Sequence, residues 1–197
     1  MLEQLMEFKL KGERNYIHGT DIYNQTITKL MTTEGEIEDI DFSFHRIATH
    51  QLKVLLNTPQ EGMEPVAVLT FTSHGSRNKA YLIETENKVE ERYPYPEDEI
   101  VAQISFDTTR RQCTLSGEST YSDIEVWVAM IKALHSRVFP ELKGKWLFVR
   151  ARFAEFNQRS SATKRSVVIA ASFNDKLTRN ETYLNGVKVG EIFFSIT

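Results

Sequence analysis

The order of its predicted elements constrains this chain more than any single residue does. One helical pattern begins at Asp21-Ile22 in the first half, and a second begins at Asp123-Ile124 in the other half. Each follows one strand-like run and precedes four more, which are joined mostly by short turns. The two halves share almost no sequence identity, yet they repeat strand, helix and four strands in the same order. This repetition predicts two structurally similar α+β halves.

The second helical pattern is apolar on nearly every side. Its apolar positions are Ile124, Val126, Trp127, Val128, Ala129, Met130, Ile131, Ala133, Leu134 and Val138. A helix of this kind is buried, so a sheet must cover it, and His135 is predicted to be a core or end-of-helix histidine. Ser122 precedes the helix, and Glu125 follows at the spacing of a capping box. The first helix is more polar, with Thr20 as its predicted N-cap and Asp21 in its first turn.

Strand patterns and turn residues divide the chain. Apolar and charged residues alternate from Met6 to Lys11, which predicts a half-buried strand with its charged side chains toward solvent. The pair Asn185-Gly186 is the strongest hairpin signal in the sequence. Residues 89–100 are acidic and contain prolines, so they predict an exposed linker. The linker separates a first repeat at 1–88 from a second at 101–197, which is predicted to begin with a strand.

Composition narrows the function classes. With 197 residues, 41% of them hydrophobic, the chain has ample material for a buried core. A net charge of −3 argues against a nucleic-acid binder that works through a strongly basic surface. No apolar stretch approaches the length of a membrane span, no cationic leader begins the chain, and the lone Cys113 excludes an intrachain disulfide. We therefore expect a cytoplasmic protein without a membrane span.

No sequence motif indicates a metal or a cofactor. The chain contains no Gly-rich phosphate loop, no serine nucleophile elbow and no cysteine cluster. Four of its five histidines are not spaced as metal ligands: His45, His50, His74 and His135. The prediction is that the protein uses no metal and no cofactor.

A buried helix followed by four strands, present twice and closed by the Asn185-Gly186 hairpin, resembles a tandem hot-dog fold. In a hot dog a central helix lies in a curled antiparallel sheet, so the resemblance implies an α+β double hot dog with sheet wrapped around central helices. It covers roughly residues 6–85 and 101–197. Hot-dog proteins are mostly thioesterases and hydroxyacyl dehydratases, with sites where the two halves meet. The alternative is a single α+β domain whose helices are alike by chance.

The resemblance nominates residues around the start of the first helix. Hot-dog dehydratases place a catalytic histidine here, commonly in a His-Phe-Pro-Gly sequence, and this chain has His18 followed directly by Gly19. Hot-dog thioesterases use an acidic residue of the central helix, for which Asp21 is the candidate, and Asn24 is suited to holding a carbonyl or a water. Gly19 and Tyr23 are predicted to contact the substrate. A backbone-bonded loop histidine and simple helix-dipole stabilisation are the alternatives for His18 and Asp21.

The second helix supplies the remaining catalytic candidates. Asp123 and Glu125 occupy the equivalent part of this helix, and a carboxylate facing His18 would complete an acid–base pair. Tyr121, just before the helix, is a candidate hydrogen-bond donor to the substrate. Helix-dipole stabilisation by Asp123 and the capping box of Glu125 are the structural alternatives.

A local excess of basic residues between 143 and 165 predicts a surface that binds the group carrying the acyl chain. Arg150 and Arg152 in this segment are expected to bind CoA phosphates or an acidic acyl carrier protein. The alternative is that these are solvated strand positions that happen to be basic. Two functions follow: an acyl-thioester enzyme of fatty-acid or polyketide-type metabolism, dehydratase- or thioesterase-like, or a non-catalytic ligand-binding or scaffold protein on the same fold. Homodimerisation is left open, because a tandem hot dog already contains the pairing that single ones obtain by dimerising.

Overall fold

The computed structural model describes residues 3–57, 62 and 64–197. They form two compact units, one of Met1–Tyr95 with Ala154–Phe156 and the other of Pro96–Phe153 with Asn157–Thr197. Each unit contains one long helix and an antiparallel sheet, which confirms the predicted α+β class. Within the described residues, every helix is too short or too polar to cross a membrane.

The first unit contains the predicted strand, helix and four strands, together with two short strands, Leu10–Lys11 and Arg92–Tyr93, that the sequence did not predict. Its elements are β1 (Glu3–Met6), β2 (Leu10–Lys11), α1 (Gly19–Glu34), β3 (Glu38–Phe44), β4 (His50–Leu56), β5 (Ala67–Ser73), β6 (Ser76–Lys88) and β7 (Arg92–Tyr93). Five strands form an antiparallel sheet in the order β1-β4-β6-β5-β3. The turn between β5 and β6 is His74-Gly75, with φ of 48° and 72°, and positive φ at both residues is what a two-residue hairpin turn requires.

The helix α1 packs its apolar side on this sheet. The ring of Tyr23 lies 5.5 Å from that of Phe42 on β3, and Ile27 and Leu30 are buried on the same side. The helix begins at Gly19 with His18 as its N-cap, so the prediction that Thr20 caps it is wrong. The N–H of Ile17 donates to the carbonyl of Ala48 at 2.8 Å, which fixes the chain just before the turn into the helix.

The second unit departs from the repeat only before its long helix. Its elements are α2 (Glu97–Val101), β8 (Ile104–Asp107), β9 (Gln112–Ser116), α3 (Asp123–Val138), most of β10 (Trp146–Glu155), β11 (Lys164–Phe173), β12 (Leu177–Leu184) and β13 (Val187–Ile196). The strands form an antiparallel sheet in the order β10-β13-β12-β11-β9-β8. The sequence predicted a single strand before α3, and the structure has a helix and a hairpin there instead.

The helix α2 explains this difference. Pro96 precedes it, and three acidic residues fill its first turn: Glu97, Asp98 and Glu99. A proline before a run of carboxylates favours a helix start, because the carboxylates complement the positive end of the helix dipole. The acidic composition of 89–100 predicts a linker, but three of its carboxylates belong to the first turn of this helix. The same segment also contains the strand β7.

The helix α3 is buried around most of its circumference, as its composition predicted. The predicted capping box is also confirmed. The N–H of Glu125 donates to the hydroxyl of Ser122 at 3.4 Å, and the N–H of Ser122 donates to the carboxylate of Glu125 at 3.0 Å. These bonds satisfy N–H groups that have no acceptor within the helix.

Replacing Ser122 with alanine is expected to destabilise the second unit by about 1 kcal/mol, because it removes the acceptor from this cap. The loss is measured by urea denaturation followed through tryptophan fluorescence. Both tryptophans, Trp127 and Trp146, lie in the second unit, so the signal reports on it. Ser136→Ala is the matched control, because Ser136 is exposed near the end of the same helix. A loss in the control as large as in Ser122→Ala would contradict the assignment.

Candidate functional site

His18 lies where the backbone turns into α1. Its own backbone is extended, with φ −72° and ψ 137°, and its carbonyl accepts from the N–H groups of Asp21 at 3.0 Å and Ile22 at 3.2 Å. The N–H groups of Gly19 and Thr20 have no carbonyl acceptor within the helix, so this end of α1 favours negative charge. The imidazole is only 7% exposed, so it is largely shielded from solvent.

A chain of polar contacts connects His18 to a buried lysine. Nδ1 of His18 lies 2.7 Å from Oγ1 of Thr20. The ammonium of Lys11 donates to the same hydroxyl oxygen at 3.1 Å and to Oδ1 of Asp21 at 3.0 Å. The hydroxyl of Tyr93 donates to Oδ2 of Asp21 at 2.7 Å. Both carboxylate oxygens of Asp21 are therefore engaged, and Asp21 anchors Lys11 and Tyr93 beside the helix start.

Lys11 is fully buried, with 0% of its surface exposed. Its strand β2 pairs in parallel with β7, which places Lys11 opposite Tyr93. Its ammonium also lies 4.2 Å from the ring centroid of Tyr95, within the range of a cation–π interaction. The alternation that predicted a solvent-facing Lys11 is wrong here. The first strand ends at Met6, and β2 is a separate strand with its own register.

The other nominated residues of α1 have different surroundings. Asn24 is buried one turn after Thr20, so both lie on the same side of the helix. Tyr23 packs between the rings of Phe42 at 5.5 Å and Phe156 at 6.1 Å, and burial raises the pKa of its hydroxyl far above the usual range. These contacts give Tyr23 a place in the aromatic core. Its predicted contact with substrate stays a prediction.

Asp123 belongs to a buried ion pair at the start of α3. Its Oδ1 lies 2.8 Å from Nε of Arg165, and the two side chains are 0% and 1% exposed. The N–H of Ser160 donates to Oδ2 of Asp123 at 2.9 Å. Arg165 also donates to the carbonyls of Ala162 at 3.0 Å and Ser160 at 3.2 Å. The pair therefore fastens the loop before β11 to the N-terminus of α3, and Arg165 does not belong to the predicted basic surface.

Glu125 and Tyr121 lie on either side of the cap of α3. The carboxylate of Glu125 is held by the capping box with Ser122. Tyr121 lines a cleft of about 180 Å³ in the second unit, together with Glu99 and Glu118. Partial burial, with the negative charges of Glu99 and Glu125, raises the pKa of the Tyr121 hydroxyl. The predicted pairing of His18 with Asp123 or Glu125 stays a prediction.

Arg150 and Arg152 flank an aromatic ring on the sheet of the second unit. Their guanidinium carbons lie 6.0 Å and 5.7 Å from the ring centroid of Phe193 on β13. Arg152 is exposed and Arg150 is half-buried. This placement leaves guanidinium charge at the surface, as an anion-binding role requires.

No metal-binding group of three or more His, Cys, Asp or Glu side chains occurs in residues 3–57, 62 and 64–197. The single cysteine, Cys113, is buried on β9, and its Sγ donates to the carbonyl of Met130 at 3.7 Å. Burial raises the pKa of the Cys113 thiol to about 12, against a small opposing effect of Arg137. The thiol is therefore protonated and unreactive near neutral pH.

Comparison with known proteins gives matches in structure rather than in sequence. No family model matches the chain, and no curated protein sequence matches it. The tesB protein of Mycobacterium avium subspecies paratuberculosis matches with a TM-score of 0.52 and 12% identity over 98% of this chain and 96% of that chain. The dehydratase domain of PpsC from Mycobacterium tuberculosis, in complex with C12:1-CoA, matches with a TM-score of 0.53 and 10% identity over 99% and 94%. The pyran synthase domain from module nine of the sorangicin pathway matches with a TM-score of 0.54 and 9% identity over 98% and 92%.

These matches run over nearly the whole of each chain, and the thioesterase and dehydratase structures among them are double hot dogs. The chain has a double hot-dog fold. The resemblance drawn from the order of elements is thereby confirmed. Sequence identities this low show a common fold and not a common activity. The function of this double hot dog must therefore be argued from its own residues.

Four residues that shape the polar clusters of this double hot dog were not nominated from sequence. They are Lys11, Thr20, Tyr93 and Arg165. Thr20 was recognised only as a capping residue, and Arg165 only as part of a basic surface. For Lys11 a weak signal existed, because Gly12 follows it directly and interrupts the strand pattern. Tyr93 lies in a segment whose composition indicated a linker, so no pattern pointed to it.

Proposed function

We propose that this double hot dog acts on an acyl thioester carried by CoA or by a carrier protein, with His18 beside the reacting carbonyl. The observation that carries the proposal is the shielded imidazole of His18 at the N-terminus of α1. A thioester carbonyl gains negative charge when a nucleophile adds to it or when a proton leaves the adjacent carbon. The N–H groups of Gly19 and Thr20 and the helix dipole stabilise such charge.

Two reactions are consistent with this arrangement, and one feature of the sequence separates them. In hydrolysis, the oxygen of water adds to the carbonyl carbon, the C–S bond breaks and the thiol leaves with a proton. In dehydration of a 3-hydroxyacyl thioester, a proton leaves the carbon next to the carbonyl and the hydroxyl leaves as water. His18-Gly19 lacks the Phe-Pro of the dehydratase sequence, which favours hydrolysis. The tesB protein and the PpsC dehydratase domain represent the two branches on this fold.

The proposed carrier contacts lie in the second unit. Arg150 and Arg152 present guanidinium groups that suit CoA phosphates or the acidic surface of a carrier protein. The PpsC dehydratase domain was solved with C12:1-CoA, so a CoA ester of about this acyl length is the first probe to use. Asn24, buried on the same side of α1 as Thr20, is proposed to hold the carbonyl or a water. The product class is that of fatty-acid or polyketide-type metabolism.

The acidic residues Asp21, Asp123 and Glu125 hold neighbouring side chains and helix starts in place. Asp21 anchors Lys11 and Tyr93, because both of its oxygens are engaged. Asp123 and Glu125 hold the start of α3. Their direct participation in the reaction stays a prediction.

The second candidate function is retention of an acyl ligand without conversion. The observation that favours it is that Asp21, Asp123 and Glu125 all make contacts that stabilise a helix start. This candidate requires that dodecanoyl-CoA remain bound and intact in native mass spectrometry. Turnover of the ester by the wild-type chain would exclude it.

Replacing His18 with alanine is expected to lower the rate of thioester cleavage at least about 100-fold, because a positioned histidine contributes about 10²–10⁴ to such reactions. Release of free CoA from a panel of acyl-CoA esters, followed with a thiol reagent, measures the rate. Cys113 adds little background, because its thiol is buried. The same acyl chains attached to a carrier protein show which carrier the protein uses. A 3-hydroxyacyl ester, followed by analysis of its products, shows whether the reaction is hydrolysis or dehydration.

His45→Ala is the matched control, because His45 is exposed on the same unit and is expected to keep the wild-type rate. Wild-type protein that converts no ester of the panel would remove the proposal. So would a His18→Ala protein that is folded and as fast as wild type.

A further inference from the structure

The hairpin turn between β12 and β13 contains a pair of residues that is prone to a spontaneous reaction. An asparagine loses its side-chain amide when the backbone nitrogen of the next residue attacks its Cγ, and a side chain on that next residue hinders the attack. Asn185 is followed by Gly186, whereas every other asparagine of the sequence is followed by a residue with a side chain. The local sequence therefore makes Asn185 the most reactive asparagine of the chain.

The turn leaves this pair open to solvent. Asn185 and Gly186 are both exposed, with φ of 48° and 84°, the two positive values that a two-residue hairpin turn requires. Leu184 pairs with Val187 across the turn. A Cβ built on Gly186 would meet no atom of the described residues within 4 Å. Water therefore has access to the backbone nitrogen that must lose its proton.

Two hydrogen bonds fasten Asn185 to Lys164, the first residue of β11. Oδ1 of Asn185 accepts from the N–H of Lys164 at 3.0 Å, and the N–H of Asn185 donates to the carbonyl of Lys164 at 2.9 Å. These bonds extend the ladder between β11 and β12 beyond the pair of Arg165 with Leu184. Asn185 therefore holds the start of β11, next to the arginine that pairs with Asp123.

We infer that Asn185 is a site of spontaneous deamidation, and that its isoaspartyl product releases the start of β11. In the first step the nitrogen of Gly186 bonds to Cγ of Asn185, its proton passes through solvent to the side-chain amide nitrogen, and ammonia leaves. Water then opens the resulting succinimide ring and returns a proton to the ring nitrogen. Cleavage of the bond from Cγ to this nitrogen gives aspartate, whereas cleavage of the bond from the backbone carbonyl carbon gives isoaspartate.

The fold slows the first step without preventing it. Cγ has to turn toward the nitrogen of Gly186, and the hydrogen bond from the N–H of Lys164 holds the side-chain amide of Asn185 in one orientation. Exposed loops open locally far more often than the core does. We therefore expect the reaction to proceed in the folded protein, at a lower rate than in the unfolded chain.

The two products differ in their effect on the turn. Aspartate keeps an oxygen in the place of Oδ1, so the N–H of Lys164 retains its acceptor. Isoaspartate carries the main chain through Cβ and Cγ, which adds an atom to the backbone of a two-residue turn. Such a turn no longer fits the pairing of Leu184 with Val187, and the N–H of Lys164 loses its acceptor.

Peptide mapping by mass spectrometry tests the inference on the full chain, incubated at mildly alkaline pH either folded or in urea. Asn174 is the matched control, because it is exposed in the turn between β11 and β12 with φ of 49° but is followed by Asp175. We expect the mass gain from amide to carboxylate to appear several times faster at Asn185 than at Asn174. At Asn185 it is expected to be faster in urea than in the folded chain. The variant Asn185→Asp is expected to show no gain in this peptide.

The release of β11 has its own measurement. The isoaspartyl fraction is separated by chromatography, identified by enzymatic methylation of isoaspartate, and unfolded in urea with tryptophan fluorescence as the signal. Both tryptophans lie in the second unit, so the signal reports on it. We expect this fraction to unfold at a lower urea concentration than unmodified protein. Asn185→Asp, which keeps the acceptor for Lys164, is expected to unfold where the unmodified protein does.

Each part of the inference has a result that would overturn it. Asn174 reacting as fast as Asn185 in the folded chain would remove the site, and so would an Asn185 that reacts only in urea. Equal rates in the folded chain and in urea would show that the bond from Lys164 does not restrain the reaction. An isoaspartyl fraction as stable as unmodified protein, or no more destabilised than Asn185→Asp, would remove the release of β11 by the altered backbone.

Discussion

Methionine in place of Arg165 is expected to lower the free energy of unfolding of the second unit by about 3–5 kcal/mol. The substitution leaves the carboxylate of Asp123 buried without its counter-charge, and the two side chains are 0% and 1% exposed in the native pair. It also removes the donors to the carbonyls of Ala162 and Ser160. A buried charge left without its partner costs far more than the net contribution of the intact pair, so the effect is larger than for a surface pair.

Urea denaturation followed through tryptophan fluorescence measures this loss, since both tryptophans lie in the second unit. Asp107→Asn is the matched control within the same unit. Asp107 lies 3.8 Å from Arg110, with side chains 41% and 76% exposed, and loss of such a pair costs less than about 1 kcal/mol. A shift for Arg165→Met no larger than that of the control would contradict the role assigned to the pair.

The double variant Asp123→Asn with Arg165→Met separates charge from packing. It removes both buried charges, so we expect it to be less destabilised than the sum of the two single variants. Strict additivity would show that the two side chains do not stabilise one another.

The single variant Asp123→Asn also tests the prediction that Asp123 is a catalytic residue. A protein that remains stable but loses thioester cleavage would support catalysis, whereas lost stability with unchanged turnover per folded molecule would support the structural role.

Local sequence signals predicted much of the fold. The capping box at Ser122 and Glu125 depends on residues three apart, and the structure confirms it. The hairpin at Asn185-Gly186 depends on two residues that tolerate positive φ, and they have φ of 48° and 84°. The burial of α3 follows from its own composition. Each of these features is decided within one element, so a single sequence is sufficient to reveal it.

The parts that sequence reasoning missed depend on partners far away in the chain. Arg165 lies 42 residues from Asp123, and no spacing rule links a strand residue to a helix start at that distance. Lys11 is buried because a strand break at Met6 changes its register and because β7 lies beside it. An alternating pattern predicts which side of one strand is buried, but it does not show where the strand stops. The sequence therefore nominates His18, whereas the side chains that contact it, Thr20 and through it Lys11, required the structure.

Acidification from pH 6.5 to 4 is expected to cost the second unit about 3 kcal/mol of stability through His135 alone. The side chain has no exposed surface. Its Nε2 lies 3.0 Å from Oγ1 of Thr178 and 3.3 Å from Oδ1 of Asn180. Burial lowers the pKa of His135 from 6.5 to about 4, although the hydrogen bond with Asn180 opposes this.

The direction follows from proton binding in the two states. Between pH 6.5 and 4 the unfolded chain protonates His135 and the folded unit keeps it neutral. The unfolded state therefore binds more protons, and stability falls as the pH falls.

The carboxylate of Glu84 affects stability in a different range of pH. Burial opposes its ionisation, but bonds from Arg46 and from backbone N–H groups outweigh this and lower its pKa from 4.5 to about 2, so its contribution is lost only below pH 4.5.

Urea denaturation at a series of pH values between 7 and 4.5 measures the effect, with Trp146 as a local probe because its ring lies 4.2 Å from that of His135. His135→Gln retains a polar group that does not titrate, so its stability is expected to vary much less over this range. His45→Gln removes an exposed histidine and is expected to keep the wild-type slope. A wild-type slope that persists in His135→Gln would place the titrating group elsewhere. A flat wild-type profile would mean that the folded unit binds a proton at His135 as readily as the unfolded chain does, and that the burial of this side chain of α3 does not hold its imidazole neutral.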